Sequence, residues 1–430
     1  MKKILFIACL FLLVMSCFKR TIEEEAIIEN NPIYLDENKI TIKCLGAEDG
    51  LIHTVNGKEY EVVYNQSLRQ KIKNKEDLSC ICTSNVTNMS TLFGDDLGFN
   101  QDIGSWDLSS VTDTSYMFVA KQDFTQFDNS EEIIEYLKGI ESVFNQDISQ
   151  WNVSSVSNME GMFFNATSFN QDIGNWNLSA LTNMDRLFEY ASKFNQDIGE
   201  WDTSNVTSMR GLFSFAKSFN QEIGRWDTSK VTDMQLMFKS AESFNQELSQ
   251  WNTSNVENMY AMFADAIDFN QNINSWNTIS VNNMAKMFRG ALNFNQNLNN
   301  WKTSNVTTME EMFYKAIFFN GEISNWNIEN VSTLSAMFYD MNFDNDLSNW
   351  NTSNVSDFSR MFSFNHFFNR AIGNWDTSNA TTMQGMFQEA SAFNQDLSGW
   401  CVSQIQAEPL NFSSFSSLIQ SNKPIWGTCP

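Results

Sequence analysis

Tryptophan falls on a grid. Twelve of the 13 Trp residues, from Trp106 and Trp151 to Trp375 and Trp400, are spaced by 25, with one step of 24 and one of 45. The long step is one period plus an insertion of 20 (45 − 25 = 20). A period in this range means an array of small units, each unable to bury its apolar face alone. Counted from Trp as position 1, with Ile81 in that place in the first repeat, the pattern is W-[ND]-T-S-N-V-T-N-M-x-x-M-F-x-x-A-x-x-F-N-Q-[DE]-[IL]-[GS]-x. Position 13 is Phe in all twelve repeats, and positions 9 and 12 hold 18 of the 21 Met.

Positions 9, 12, 13 and 16, for example Met259, Met262, Phe263 and Ala266, have the spacing of one helical face. Ser or Thr at position 7, as in Thr207, Thr232 and Thr307, suits an N-cap. The spacing predicts a helix of about ten residues, too short to persist alone. The other half, F-N-Q-D-I-G-x-W, has no helical face and predicts a short strand through positions 20–23. Parallel strands stack ~4.8 Å apart, whereas helices need ~8–10 Å. A stack of about thirteen such 25-residue coils is therefore expected to curve, as an α/β solenoid with the sheet inside.

The ends read differently. Residues 1–17 have a basic head (Lys2, Lys3), an apolar run over 4–15, and Ser16 before Cys17. That is a lipoprotein-type signal, so the chain is expected to be exported and lipidated at Cys17; Cys9 has too little apolar sequence before it. Residues 18–40 read as an acidic tether. Residues 41–75 read as a β-hairpin cap, because Asn56–Gly57 stands between two extended runs. The array takes 76–399. An insertion at about 125–143 has a cap, early acids and an apolar face, predicting an extra helix. Residues 400–430 read as a C-terminal cap, with Phe412, Phe415, Leu418 and Ile419 on a closing helix.

The strings FNQEIGRWDTSKVTDMQLMF (219–238) and WNTSNVENMYAMFADAIDFNQNI (251–273) resemble the BspA-type leucine-rich-repeat surface proteins, which are lipoproteins and cell-wall proteins carrying DUF285 repeats. The resemblance covers 76–399, and VNGKEYEVV (55–63) and the segment from Gly399 onward look like that family's caps. It implies a leucine-rich-repeat-like solenoid on the cell surface; Phe18, rather than Asp, after Cys17 favours delivery to an outer membrane where the cell has two. The resemblance also implies an adhesive role toward host matrix or other cells, and supplies no catalytic residues.

Charge and composition narrow the partners. Lys and Arg total 27 against 51 Asp and Glu, a net charge of 27 − 51 = −24, which excludes nucleic acid as the default partner. Two histidines 313 positions apart, His53 and His366, leave nothing for paired-histidine catalysis. Five cysteines follow Cys17. In an exported chain Cys401 and Cys429 are expected to staple the C-terminal cap, and Cys44 to meet Cys82 or Cys80. Zinc is not expected, because Cys80-x-Cys82 lacks the spacing and a nearby His.

Three columns are polar. Asn at position 20 and Gln at position 21 are expected to form a hydrogen-bonded ladder between coils. Position 22 is acidic in most repeats, including Asp102, Asp147, Asp172, Asp197, Glu222 and Glu247, and is expected on the outward face as the candidate acidic site. No metal, cofactor or enzymatic centre is expected. The expected function is a non-enzymatic protein-interaction scaffold or adhesin with an unidentified protein partner, set against a passive surface coat or a glycan-active enzyme.

Overall fold

The computed structural model describes residues 32–119, 136–137 and 139–430. The signal segment with Cys17, and most of the 18–40 tether, lie outside the described residues. An N-terminal cap comes first. Strands β1 (Tyr34–Leu35) and β2 (Ile42–Lys43) pair antiparallel. Strands β3 (Ile52–Val55) and β4 (Lys58–Val62) form a hairpin. Asn56 and Gly57 join them, both at positive φ (51° and 79°), as a two-residue type I′ connection requires. Helix α1 (Asn65–Lys73) follows, and β5 (Ile81–Cys82) runs parallel to β4. Ile33, Ile42, Val62 and the bonded Cys44–Cys82 pair share one small apolar cluster. Leu68 of α1, with Val63 and Leu78, instead joins the main core of the repeats.

The repeats do not form the expected helix-and-strand coils. Apart from a helical turn at 136–137, the described residues 83–419 are turns, bends and extended backbone. Neighbouring repeats meet through isolated parallel bridges at position 8, in a run from Asn88↔Asp113 to Asp357↔Thr382. The curved leucine-rich-repeat-like solenoid is thus overturned, and the reason lies in where the amides go. In one repeat the N–H groups of Met209, Gly211, Phe213 and Phe215 donate to Asp233, Gln235, Met237 and Lys239 of the next, at 2.7–3.0 Å. The amides between them close i→i−3 turns: Leu212 to Met209, Ser214 to Gly211 and Ala216 to Phe213. No donor is left for an i→i−4 ladder. Positions 11 and 15 are also left-handed, as at Gly211 (φ 60°) and Phe215 (φ 58°), which an α-helix interior excludes. Met209, Leu212, Phe213 and Ala216 still point inward, all fully buried.

The strand fails for a different reason. Phe194 and Phe219 stack with centroids 6.1 Å apart, and Trp201 and Trp226 at 6.2 Å. That exceeds the ~4.8 Å of a β ladder, and side-chain amides span the gap instead of peptide groups. The Asn195 N–H donates to Asn170 Oδ1 (2.9 Å), and Gln221 Nε2 donates to both the carbonyl and Oδ1 of Asn195 (3.0 Å each). Each indole is similarly tied, as when Trp201 Nε1 donates to the Ile173 carbonyl (3.1 Å). Two phenylalanine columns fill the interior. Phe213 stacks on Phe219 of its own repeat at 3.8 Å and on Phe238 of the next at 5.7 Å.

The insertion does not break the register, since Asp113 bridges directly to Asn158. Of its expected helix only Tyr136 and Leu137 are helical among the described residues. Leu137 packs with Tyr116, Val119 and Phe164, and its carbonyl accepts from Asn165 Nδ2 (2.8 Å). The closing helix over Phe412–Ile419 is also absent. That segment is a further set of turns, with Asn411 and Phe415 left-handed, and Trp426 covers Phe412 edge-on. Cys401 is bonded to Cys429, and Cys80 is a free thiol.

Candidate functional site: an acidic groove lined by amides

Positions 20 to 25 of successive repeats line a groove. A cavity of about 670 Å³ in it is bounded by Asp197, Glu200, Asn220, Gln221, Glu222, Arg225, Gln246, Glu247 and Gln250. The amide column builds the wall. Gln246 Nε2 donates to the Asn220 carbonyl (3.1 Å) and Oδ1 (2.8 Å), so these groups are consumed internally. The carboxylates face solvent. Asp102, Asp147, Asp172, Asp197, Glu222 and Glu247 are all exposed. The first four each spend one oxygen on the amide two residues on, as Asp197 Oδ1 does with Gly199 (3.0 Å), and keep the other free. Glu247 Oε1 accepts from Ser249 Oγ (2.6 Å).

Only Asp197, Glu222 and Glu247 of the six belong to the cavity. Position 25 adds what the sequence did not single out. Glu200 pairs with Arg225 of the next repeat at 2.9 Å, with both groups exposed, and Gln250 follows. The lining carries four carboxylates and one guanidinium, 1 − 4 = −3. These charges are strung along the stack, one repeat apart, rather than gathered about a point. Among the described residues no group of three or more His, Cys, Asp or Glu converges as a metal ligand set. The groove therefore suits a ligand that presents several positive groups in a line.

A second charged run lies on the turns at positions 10 to 15. Glu189 is buried there. Arg186 Nε stands 3.3 Å from its Oε2, close enough for charge attraction but not aligned as a hydrogen bond. Burial pushes the carboxyl up to about 7, against the pull of Arg186, Lys239 and Arg210. Burial also lowers Lys239 and raises Asp265. Because the folded chain holds the Glu189 proton more tightly than the unfolded chain, this group's contribution to stability is complete below the ordinary Glu range. It is lost as pH rises toward about 7. Glu189→Gln should therefore flatten the fall in melting temperature between roughly pH 5 and 7. Parallel pH profiles for the two proteins would assign that fall to other groups.

The repeat geometry can now be set against known families. The model for "Mycoplasma protein of unknown function, DUF285" matches residues 63–136, 132–223, 194–282, 247–342 and 318–426. The chain belongs to the DUF285 family. The overlapping matches run from the end of the cap, through the Trp grid, to residue 426. No curated protein and no solved structure matches the chain. The DUF285 assignment brings no activity with it, since the family's own description is of unknown function. The expectation of an interaction scaffold or adhesin is accordingly withdrawn. It rested on a curved helix-and-sheet solenoid that these repeats do not form, and no characterised relative supports it. A passive coat and a glycan-active enzyme, the alternatives beside it, gain nothing from the same findings.

Proposed function

We propose that this DUF285 chain is exported, anchored by lipid on Cys17, and binds an extended, multiply charged organic cation along its acidic groove without converting it. The observation that carries the reading is the lining of the groove. Asp197, Glu222 and Glu247 recur at one repeat spacing beside Glu200, over an amide wall whose own hydrogen bonds are already made. A linear polyamine has the matching chemistry, because ammonium groups separated by short methylene runs can meet one carboxylate per repeat. Spermine serves as the probe. Calorimetry should give saturable binding that weakens steeply with salt, as expected for exposed charges. Glu222→Gln with Glu247→Gln should reduce affinity, whereas Asp102→Asn, outside the cavity, should not. Binding that is absent at low salt, or equally reduced by every acidic substitution, would leave only the diffuse field of a chain of charge −24.

Anchoring is supported by Lys2, Lys3, the apolar run over 4–15 and Ser16 before Cys17, and by the resemblance of the 219–238 and 251–273 strings to BspA-type surface lipoproteins. Cys17→Ser should abolish detergent-phase partitioning and release the chain from the membrane fraction. Unchanged partitioning would exclude Cys17 as the anchor. Two acyl chains give stable attachment where one does not.

A further inference from the structure

The two ends of the stack are complementary. From the repeat at Trp151 onward, positions 11, 13 and 15 pass N–H groups forward, and the penultimate set, Gly385, Phe387 and Glu389, donates to the carbonyls of Leu410, Phe412 and Ser414 (2.7–3.0 Å). The last set repeats that geometry. Asn411 (φ 59°) and Phe415 (φ 61°) are left-handed like their counterparts, and the N–H groups of Asn411, Ser413 and Phe415 meet no acceptor among the described residues. The first repeat offers the reverse. Its carbonyls at positions 12 and 14, Leu92 and Gly94, accept from nothing among the described residues, and Ser90 at position 10 accepts from Arg69 (2.8 Å) and the adjoining Thr91 hydroxyl.

An ordinary β-strand does not fit the last edge. A strand presents N–H and C=O together on each side, whereas this edge has spent the Asn411 and Ser413 carbonyls on turns to Ser414 and Ser416 and presents three donors. What fits is an arc of even-position carbonyls, as a first repeat of this kind presents. Charge agrees. In a chain of net charge −24, residues 65–75 carry Arg69, Lys71, Lys73 and Lys75 and no acid. Lys71 is paired with Glu61 and Glu76; Arg69 reaches the Ser90 carbonyl of the arc, and Lys73, one helical turn on from it, and Lys75 are exposed. At the other end Glu389 stands beside the donor arc, its N–H on the Ser414 carbonyl, whereas Glu408, which accepts from Ser413 Oγ, is already paired with Lys423 at 2.7 Å.

We propose that a second copy of this chain docks head to tail. The amides of Ser413 and Phe415 pair with the carbonyls of Leu92 and Gly94, and the cations of α1 and its flank meet Glu389. Such a contact is heterologous, so it propagates into open assemblies rather than closing as a dimer. The test is sedimentation velocity of the full chain carrying Cys17→Ser, which removes lipid as a cause of pairing. Species larger than two chains should grow with concentration and shrink with salt. Ser413→Pro, which deletes the central donor, should weaken association roughly tenfold, the equivalent of about 1.4 kcal/mol. Should that variant fold poorly, Lys73→Glu with Lys75→Glu should weaken association equally, and adding Glu389→Lys should restore part of it. A single-chain species at every concentration overturns the proposal, as does a closed dimer or an assembly that ignores both sets of changes. Flotation of a single-chain species with neutral phospholipid vesicles would overturn it too, in favour of a lipid surface.

Discussion

Phe263→Ala should cost about 3–5 kcal/mol, the range for truncating a fully buried aromatic side chain. The ring lies 4.0 Å from Phe269, 5.5 Å from Phe238, 5.7 Å from Phe288 and 6.2 Å from Trp276, centroid to centroid. Its removal opens a cavity shared by three repeats. No single neighbour can close it, because each ring is held by its own column and the backbone between them is fixed by the forward amide bonds. Asp202→Asn is the contrasting change. Its Oδ1 accepts from the Ser204 amide (3.0 Å) at an exposed position, and Asn keeps that acceptor, so stability should shift little. Denaturant titrations of the two variants against wild type check both. Equal, small shifts would mean that position 13 does not pack as described.

Gly321→Gln tests the fold against its own repeat pattern. Position 21 is Gln in most repeats, so restoring it at 321 is what a consensus argument would recommend as stabilising. The structure gives the opposite sign. A Cβ on Gly321 would fall inside van der Waals contact of the Gln296 carbonyl oxygen, which is backbone and cannot swing away. The backbone has closed in at this point. Leu298 N–H reaches the Glu322 carbonyl (3.1 Å), and Asn345 Nδ2 donates to both Asn320 and Gly321 carbonyls (2.7 and 3.1 Å). Overpacking of that kind should cost about 1–3 kcal/mol. A melting temperature raised by Gly321→Gln would mean that the close approach relaxes without penalty.

These two sites mark where sequence reasoning succeeds and where it stops. The inward columns were legible because each buries one residue type at one position, as Phe263 does at position 13. The conformation between them was not. A spacing of i, i+3, i+4, i+7 places side chains on one face of a helix, but consecutive three-residue turns with left-handed residues at positions 11 and 15 place them there too. Gly161, Gly211 and Gly385 at position 11 and Gly290 at position 15 were the available signal, since glycine in a helix interior is disfavoured. The Asn and Gln columns were legible as a ladder, although not as the replacement for a sheet. The groove was half legible. Asp197, Glu222 and Glu247 follow the repeat, whereas Glu200, Arg225 and Gln250 occupy a variable column. Their meaning comes only from what stands 25 residues away. The Glu189 run was not legible for the same reason, being built from variable positions that meet only once the repeats are stacked.

The forward direction of the amide bonds has a consequence for how such a chain is made. Each repeat hands its N–H groups at positions 9, 11, 13 and 15 to the repeat synthesised after it, so an unfinished chain leaving the ribosome ends in a row of unanswered donors. The cap built from β1 to β5 and α1 emerges first and packs onto the opposite end through Leu68 and Arg69. Growth is thereby vectorial, with every finished repeat acting as the template for the next about 25 residues later. A stalled or truncated chain would retain its folded beginning and lose only its last ordered repeat, much as a zipper stopped part-way holds everything below the slider.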